Sequence, residues 1–176
     1  HAAGCASSAL ADFAGLLVIN NGDMPLVTAK TLSAAFDAAE QTGLAIVAFR
    51  PADAAAYGRV LLGEDGYLDR IVEHKDASDA VRSVGLCNAG TVIADAQKFF
   101  GWAAKLENVN RQDEYYLTDV PKIARREGVR CAVVEADPIE VMGINNRAEL
   151  ANAEAEMQKR LRARSVSPSA MASVAK

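Results

Sequence analysis

With 176 residues, 51% of them hydrophobic and 24% charged, the chain has the size and balance of one globular domain with a sizeable core. Its formal net charge of -4 argues against general nucleic-acid binding, which needs a concentrated basic surface, and leaves a local anion site open. The three cysteines, Cys5, Cys87 and Cys131, form no CxxC pair and fit a reduced, cytoplasmic setting, and no apolar run approaches the roughly 20 residues that cross a bilayer.

Residues 16–19 form a short apolar run closed by Asn20, Asn21 and Gly22, which predicts a parallel central strand buried on both faces. Thr28 is placed to cap a helix in which Leu32, Ala35, Phe36 and Ala39 share one face, and Gly43 stops it. Residues 44–49 read as the next strand. From residue 57 to 94 the pattern shifts to short β-rich runs at 59–62, 68–72 and 91–93, with a turn at 63–66, and this predicts an extension of the sheet. Helical patterns return at 96–106 and after Thr118, where Pro121 is tolerated in the first turn, its missing N–H having no helical partner. Gly128 ends that helix and residues 129–135 supply another strand. A last helix starts near Asn146, with Leu150, Ala153, Met157 and Leu161 forming one apolar stripe and Arg164 among the cations that suit its carboxyl end; residues 165–176 read as a loose tail. The chain divides on this pattern into a body over 1–148, a linker helix over 149–164 and that tail.

Gly22 and Asp23 follow a central strand at its carboxyl end, where open α/β sheets bind ligands. Gly22 lets a ligand approach the backbone, and Asp23 offers the hard oxygen that Mg²⁺ takes from one or two protein groups. Five other stretches depart from a plain surface pattern: Tyr-Gly-Arg (57–59), Ile-Val-Glu-His-Lys-Asp (71–76), Asn-Ala-Gly (88–90), Glu-Tyr-Tyr-Leu-Thr-Asp (114–119) and Gly-Ile-Asn-Asn-Arg (143–147). Each also has an ordinary explanation as a solvated cluster, a bulge or a helix cap.

Taken in order with Gly-Asp-Met-Pro-Leu (22–26), these motifs resemble the uridylyltransferase domain of the bacterial bifunctional N-acetylglucosamine-1-phosphate uridylyltransferase family, over residues 1–162. The resemblance implies an α/β, Rossmann-like nucleotidyltransferase fold of the GT-A kind, a mostly parallel sheet with helices on both faces and a small β-rich sugar-binding extension. It also implies Mg²⁺-dependent transfer of uridylyl from UTP to N-acetylglucosamine 1-phosphate, giving pyrophosphate and the UDP-sugar of cell-wall synthesis. By the same resemblance Asp23 and Asn145 would hold the metal, Asp23 being the residue that carries catalysis. Gly22 would face the substrates, and Gly58, Glu73, Asn88, Tyr116 and Thr118 would line the sugar pocket.

The departures carry expectations of their own. The family's glycine-rich loop and nearby lysine, which cradle the triphosphate, are not in these residues, so the chain is expected to be truncated at its amino end and to transfer no uridylyl by itself. His1 and Ala2 look like the end of a motif on the uracil side, Asn21 stands where many relatives carry an aromatic residue, and Asp113 where they often carry glycine. The parent family is trimeric through an acetyltransferase domain that these residues do not contain. A fragment retaining only a sugar-phosphate pocket, a transferase for another sugar 1-phosphate and a purely structural module remain open alternatives.

Overall fold

The computed structural model describes residues 2–54, 56–108 and 114–165; the expectations that fall on His1, Asp113 and 166–176 lie outside the described residues. The elements run α1 (Ala2–Cys5), β1 (Leu16–Ile19), α2 (Ala29–Thr42), β2 (Gly43–Phe49), β3 (Arg59–Leu62), β4 (Leu68–Val72), α3 (Asp79–Arg82), β5 (Cys87–Asp95) and α4 (Ala96–Ala103). A 3-10 turn, Leu117–Asp119, leads into α5 (Val120–Arg126), followed by β6 (Arg130–Glu135) and α6 (Arg147–Ser165).

Local chemistry places the boundaries. Thr28 caps α2 by accepting from the Thr31 N–H, and Gly43 closes it at φ 93°, in the left-handed region that glycine enters without a steric penalty. Asp95 caps α4, and Pro121 sits in the first turn of α5, where no N–H is needed. Ser165, expected to open the tail, is instead the last residue of α6.

The strands join in the order β4-β3-β5-β2-β6, and β1 pairs with β5. Because β2 occupies one flank of β5, both β3 and β1 lie on the other, β3 at Cys87 and β1 against residues 92–95. The α/β class with helices on both faces holds, but the sheet is mixed. Among the described residues only β2 and β6 pair in parallel, while β1–β5, β2–β5, β3–β4 and β3–β5 are antiparallel. A strand buried on both faces reports helices above and below it, not its direction, and residues 91–94 of β5 are such a run in a strand that runs against its neighbours. Nor is β1 central: among the described residues it pairs with β5 alone, and Val18 is 40% exposed.

All of β2 beyond Gly43 is buried, and its alternate residues feed two cores. Leu44, Ile46 and Ala48 face Phe99, Trp102, Val120 and Ala124 of α4 and α5. Ala45, Val47 and Phe49 face Ala35 and Ala39 of α2 together with Met24 and Val141. Fully burying one Leu or Ile stabilises by about 1.5–3 kcal/mol, so β2 is the common floor on which both layers rest. All three cysteines are free, and burial pushes the Cys87 and Cys131 thiols up, keeping them as inert apolar filler. The stripe expected on α6 is not buried as a face: Ala153 is, whereas Leu150 is 53% exposed. The helix is tied down by Arg160 instead, which donates to the Leu26 carbonyl at 2.6 Å while paired with Glu156 at 3.2 Å. Among the described residues no helix is long and apolar enough to cross a membrane.

Candidate functional site

Two groups of side chains gather at the loop that follows β1. The first surrounds a cavity of about 250 Å³ lined by Asn21, Glu73, Asn88, Gly90, Tyr116 and Thr118, among others. Glu73 follows β4 and accepts from the Thr118 hydroxyl at 2.9 Å, which ties the strand end to the 3-10 turn. Gly58 lies beneath it: a Cβ there would stand 3.3 Å from Glu73 Oε2 and 3.2 Å from Ile71, tighter than ordinary packing allows. The Gly58 carbonyl accepts from the Asn88 N–H at 2.9 Å, so the two motifs form one wall. Asn88 turns its carbonyl oxygen to the Gly90 N–H at 3.2 Å, and its amide N–H₂ is left for the cavity. Gly90, at φ 83°, lies beside the register shift between β2 and β5, and any side chain there would collide with the Asn21 amide.

A larger concavity of about 820 Å³ adjoins the first and is lined by Ile19, Asn20, Asn21, Gly22, Phe100 and Leu106, among others. Asn21 borders both cavities. Its neighbour Asn20 accepts from the buried Thr91 hydroxyl at 2.6 Å, fixing the end of β1 against β5. A Cβ on Gly22 would meet nothing within 4 Å, so the chain itself makes no demand for glycine there.

The second group forms around Gly143. A Cβ built on that residue would lie 3.4 Å from Asp23 Oδ2 and 3.6 Å from Asn145 Nδ2, so both exposed side chains turn to one small space. The Ile144 N–H donates to the Asp23 carbonyl at 3.0 Å, joining the loops that carry them. The Asn145 amide presents its nitrogen here, and turning it about its last bond brings its oxygen to the same space as the Asp23 carboxylate, a donor set that Mg²⁺ takes from a protein when substrate phosphates and water complete its shell. The glycine keeps that space open, and the residues fit such an ion. Among the described residues no group of three or more His, Cys, Asp and Glu gathers in the manner of a metal site, so a site here would use this pair and not a dedicated cage.

Asn145 is held by the start of α6. Its N–H donates to Glu149 Oε2 at 2.5 Å, while the Asn146 side chain caps the Ala148 and Glu149 N–H groups, each at 3.0 Å. The bond from the Asn145 backbone, ahead of side-chain bonds from Asn145 and Asn146, holds the Glu149 carboxyl below the usual range. A carboxyl lowered by folding adds stability above its unfolded pKa, about 4.3 for Glu, and loses it as pH falls through the folded value. The Asn145 amide resonance is therefore expected to titrate with a midpoint below about 4.3, and Glu149→Gln to abolish that titration. A midpoint at or above the ordinary value would count against this cap.

The structure thus brings Glu73, Asn88, Tyr116 and Thr118 together over Gly58, and Asp23 to Asn145, with residues 21–23 running between the two groups. Sequence reading passed over Glu140, which lies between the motifs and whose hydrogen bonds reach residues more than a hundred positions away.

No family model matches the chain. It is 48% identical over 163 residues to the bifunctional protein GlmU of Maricaulis maris and 45% identical over 165 residues to that of Rhodospirillum rubrum, in each case along 92% of this chain. The chain spans 36% and 37% of the length of those relatives. The nucleoside-diphosphate-sugar pyrophosphorylase from Vibrio cholerae is similar with a TM-score of 0.59 at 12% identity, covering 82% of this chain and 59% of that one. A CMP:2-keto-3-deoxy-manno-octonic acid synthetase complexed with CTP gives a TM-score of 0.64 at 11% identity, covering 91% and 69%. The solved structures show the fold alone, a Rossmann-like α/β sheet with helices, and the resemblance read from six short motifs extends along nine-tenths of the chain.

Proposed function

We propose that the chain provides the sugar-phosphate and metal side of a uridylyltransferase that makes UDP-N-acetylglucosamine and pyrophosphate from UTP and N-acetylglucosamine 1-phosphate. The observation that carries this reading is the convergence of Asp23 and Asn145 on Gly143, one residue beyond the Gly22 that borders the larger concavity. The similarity to the two GlmU proteins, along 92% of the chain, supports it.

In the proposed reaction a phosphate oxygen of the sugar attacks the α-phosphorus of UTP, a new P–O bond forms there, and the bond from α-phosphorus to the bridging oxygen breaks, releasing pyrophosphate. No protein nucleophile is needed, because such transfers depend on positioning and charge neutralisation. Glu73 and Asn88 would hold hydroxyl and acetamido groups, Thr118 orients Glu73, and Tyr116 closes the wall of the smaller cavity. Asp23 and Asn145 would hold Mg²⁺, which when bound neutralises phosphate charge. Asn21, bordering both cavities, would stand between sugar and nucleotide.

The test joins the chain to the amino-terminal glycine-loop segment that the family resemblance implies. Pyrophosphate release is expected only with UTP, N-acetylglucosamine 1-phosphate and Mg²⁺ all present. Equal turnover with glucose 1-phosphate would overturn the sugar assignment. No turnover from a folded chimera would overturn the transfer itself.

A further inference from the structure

The stretch 136–146 brings Gly143 and Asn145 to Asp23, and its middle is anchored at a separate point. Glu140 turns back onto the first turn of α2, where its Oε2 accepts from the Thr31 hydroxyl at 2.5 Å, the Thr28 hydroxyl at 2.9 Å and the Thr28 N–H at 3.3 Å. Thr31 is buried and Thr28 is the cap of α2, so one carboxylate oxygen gathers three donors at a helix start that is already built. Beside this anchor, Val141 and Met24 belong to the same buried cluster, and beyond them the Ile144 N–H reaches the Asp23 carbonyl. The segment from Asp23 to Thr28 and the segment from Glu140 to Asn145 are thus joined at both ends, by the Ile144 N–H to the Asp23 carbonyl at one and by Glu140 at the other.

We propose that Glu140 is a positioning residue that sets the separation of the Asp23 carboxylate and the Asn145 amide by stapling their two loops together through Thr28 and Thr31. This rests on reading Asp23 and Asn145 as the metal-holding pair. Glu140 contacts neither of them. Removing the staple leaves the Ile144 bond as the main polar link between the loops, and an arriving cation must then order ligands that the fold had prepared. Losing a residue that orients metal ligands costs about 10-fold to 100-fold in affinity.

The experiment uses the 176-residue chain itself, with Mn²⁺ as the probe and amide NMR as the readout. In the unsubstituted chain Mn²⁺ is expected to broaden the Gly143 and Ile144 amide signals, and Asp23→Ala to abolish the effect. Glu140→Ala should weaken Mn²⁺ affinity by about 10-fold or more, and Glu140→Gln, whose amide oxygen accepts the same bonds, should recover most of it. Without metal, the Ile144 amide should exchange faster in Glu140→Ala, while the core amides of Val47 and Ile93 keep their protection. Unchanged Mn²⁺ affinity and unchanged Ile144 protection in Glu140→Ala would overturn the proposal and leave the ligand pair standing. Loss of protection at Val47 and Ile93 as well would make Glu140 a residue of general stability and overturn it too. Broadening that persists in Asp23→Ala would remove the pair, and this inference with it.

Discussion

In the chimera that carries the glycine loop, Asp23→Ala is expected to lower uridylyl transfer by at least about 100-fold, the scale of losing one major electrostatic contact to a transition state. Asp23 is the acidic member of the pair around Gly143, and among the described residues no His, Cys, Asp or Glu cluster is at hand to replace it. Asp23→Asn should be nearly as damaging, because it keeps an oxygen and removes the charge that balances the cation. Steady-state rates at saturating Mg²⁺ decide the matter. Near-normal turnover in the alanine variant would remove Asp23 from the metal site.

The second large effect belongs to the smaller cavity. Glu73→Ala and Asn88→Ala are each expected to raise the requirement for N-acetylglucosamine 1-phosphate more than that for UTP, by about 1–3 kcal/mol per lost hydrogen bond. Glu73 is held by Thr118 and backed by Gly58, and Asn88 has its carbonyl end engaged by Gly90, so each presents a fixed polar group to the cavity. A preorganised group loses little freedom on binding, which is why its removal is felt by one substrate. Separate KM determinations for the two substrates provide the check. Equal effects on both, or none, would return Glu73 to a solvated charge cluster.

Much of the layout was legible in local chemistry. Thr28 and Gly43 bound α2 as their residue types require, Pro121 opens α5, and the apolar run that follows Gly43 is buried on both faces. Strand direction was not legible, because helices on both faces bury residues 91–94 of β5 as they would bury a parallel strand. The length of β5 was missed for a related reason: Asn88 and Gly90 break the apolar pattern at a bulge, so residues 87–90 did not read as strand. On α6 the periodicity was real, but packing uses Ala153 and the Arg160 contact to Leu26, not the leucines. The site residues came from the motifs and not from periodicity, which has no means of pairing Asp23 with Asn145 across more than a hundred positions. Glu140 left no signal at all, since a glutamate in a short loop is indistinguishable from a solvated one until its partners are known.

The position of β5 also governs the order in which the sheet can be put together during synthesis. The strands β1 and β2 leave the ribosome before the other described strands, yet each ladder described for them is with a strand made later. When residue 72 has emerged, the β3–β4 hairpin is, among the described strands, the one ladder whose two halves both exist. Delivery of residues 87–95 supplies the shared partner of three waiting strands, so one wall of the smaller cavity and part of both cores close around one nine-residue segment rather than growing strand by strand.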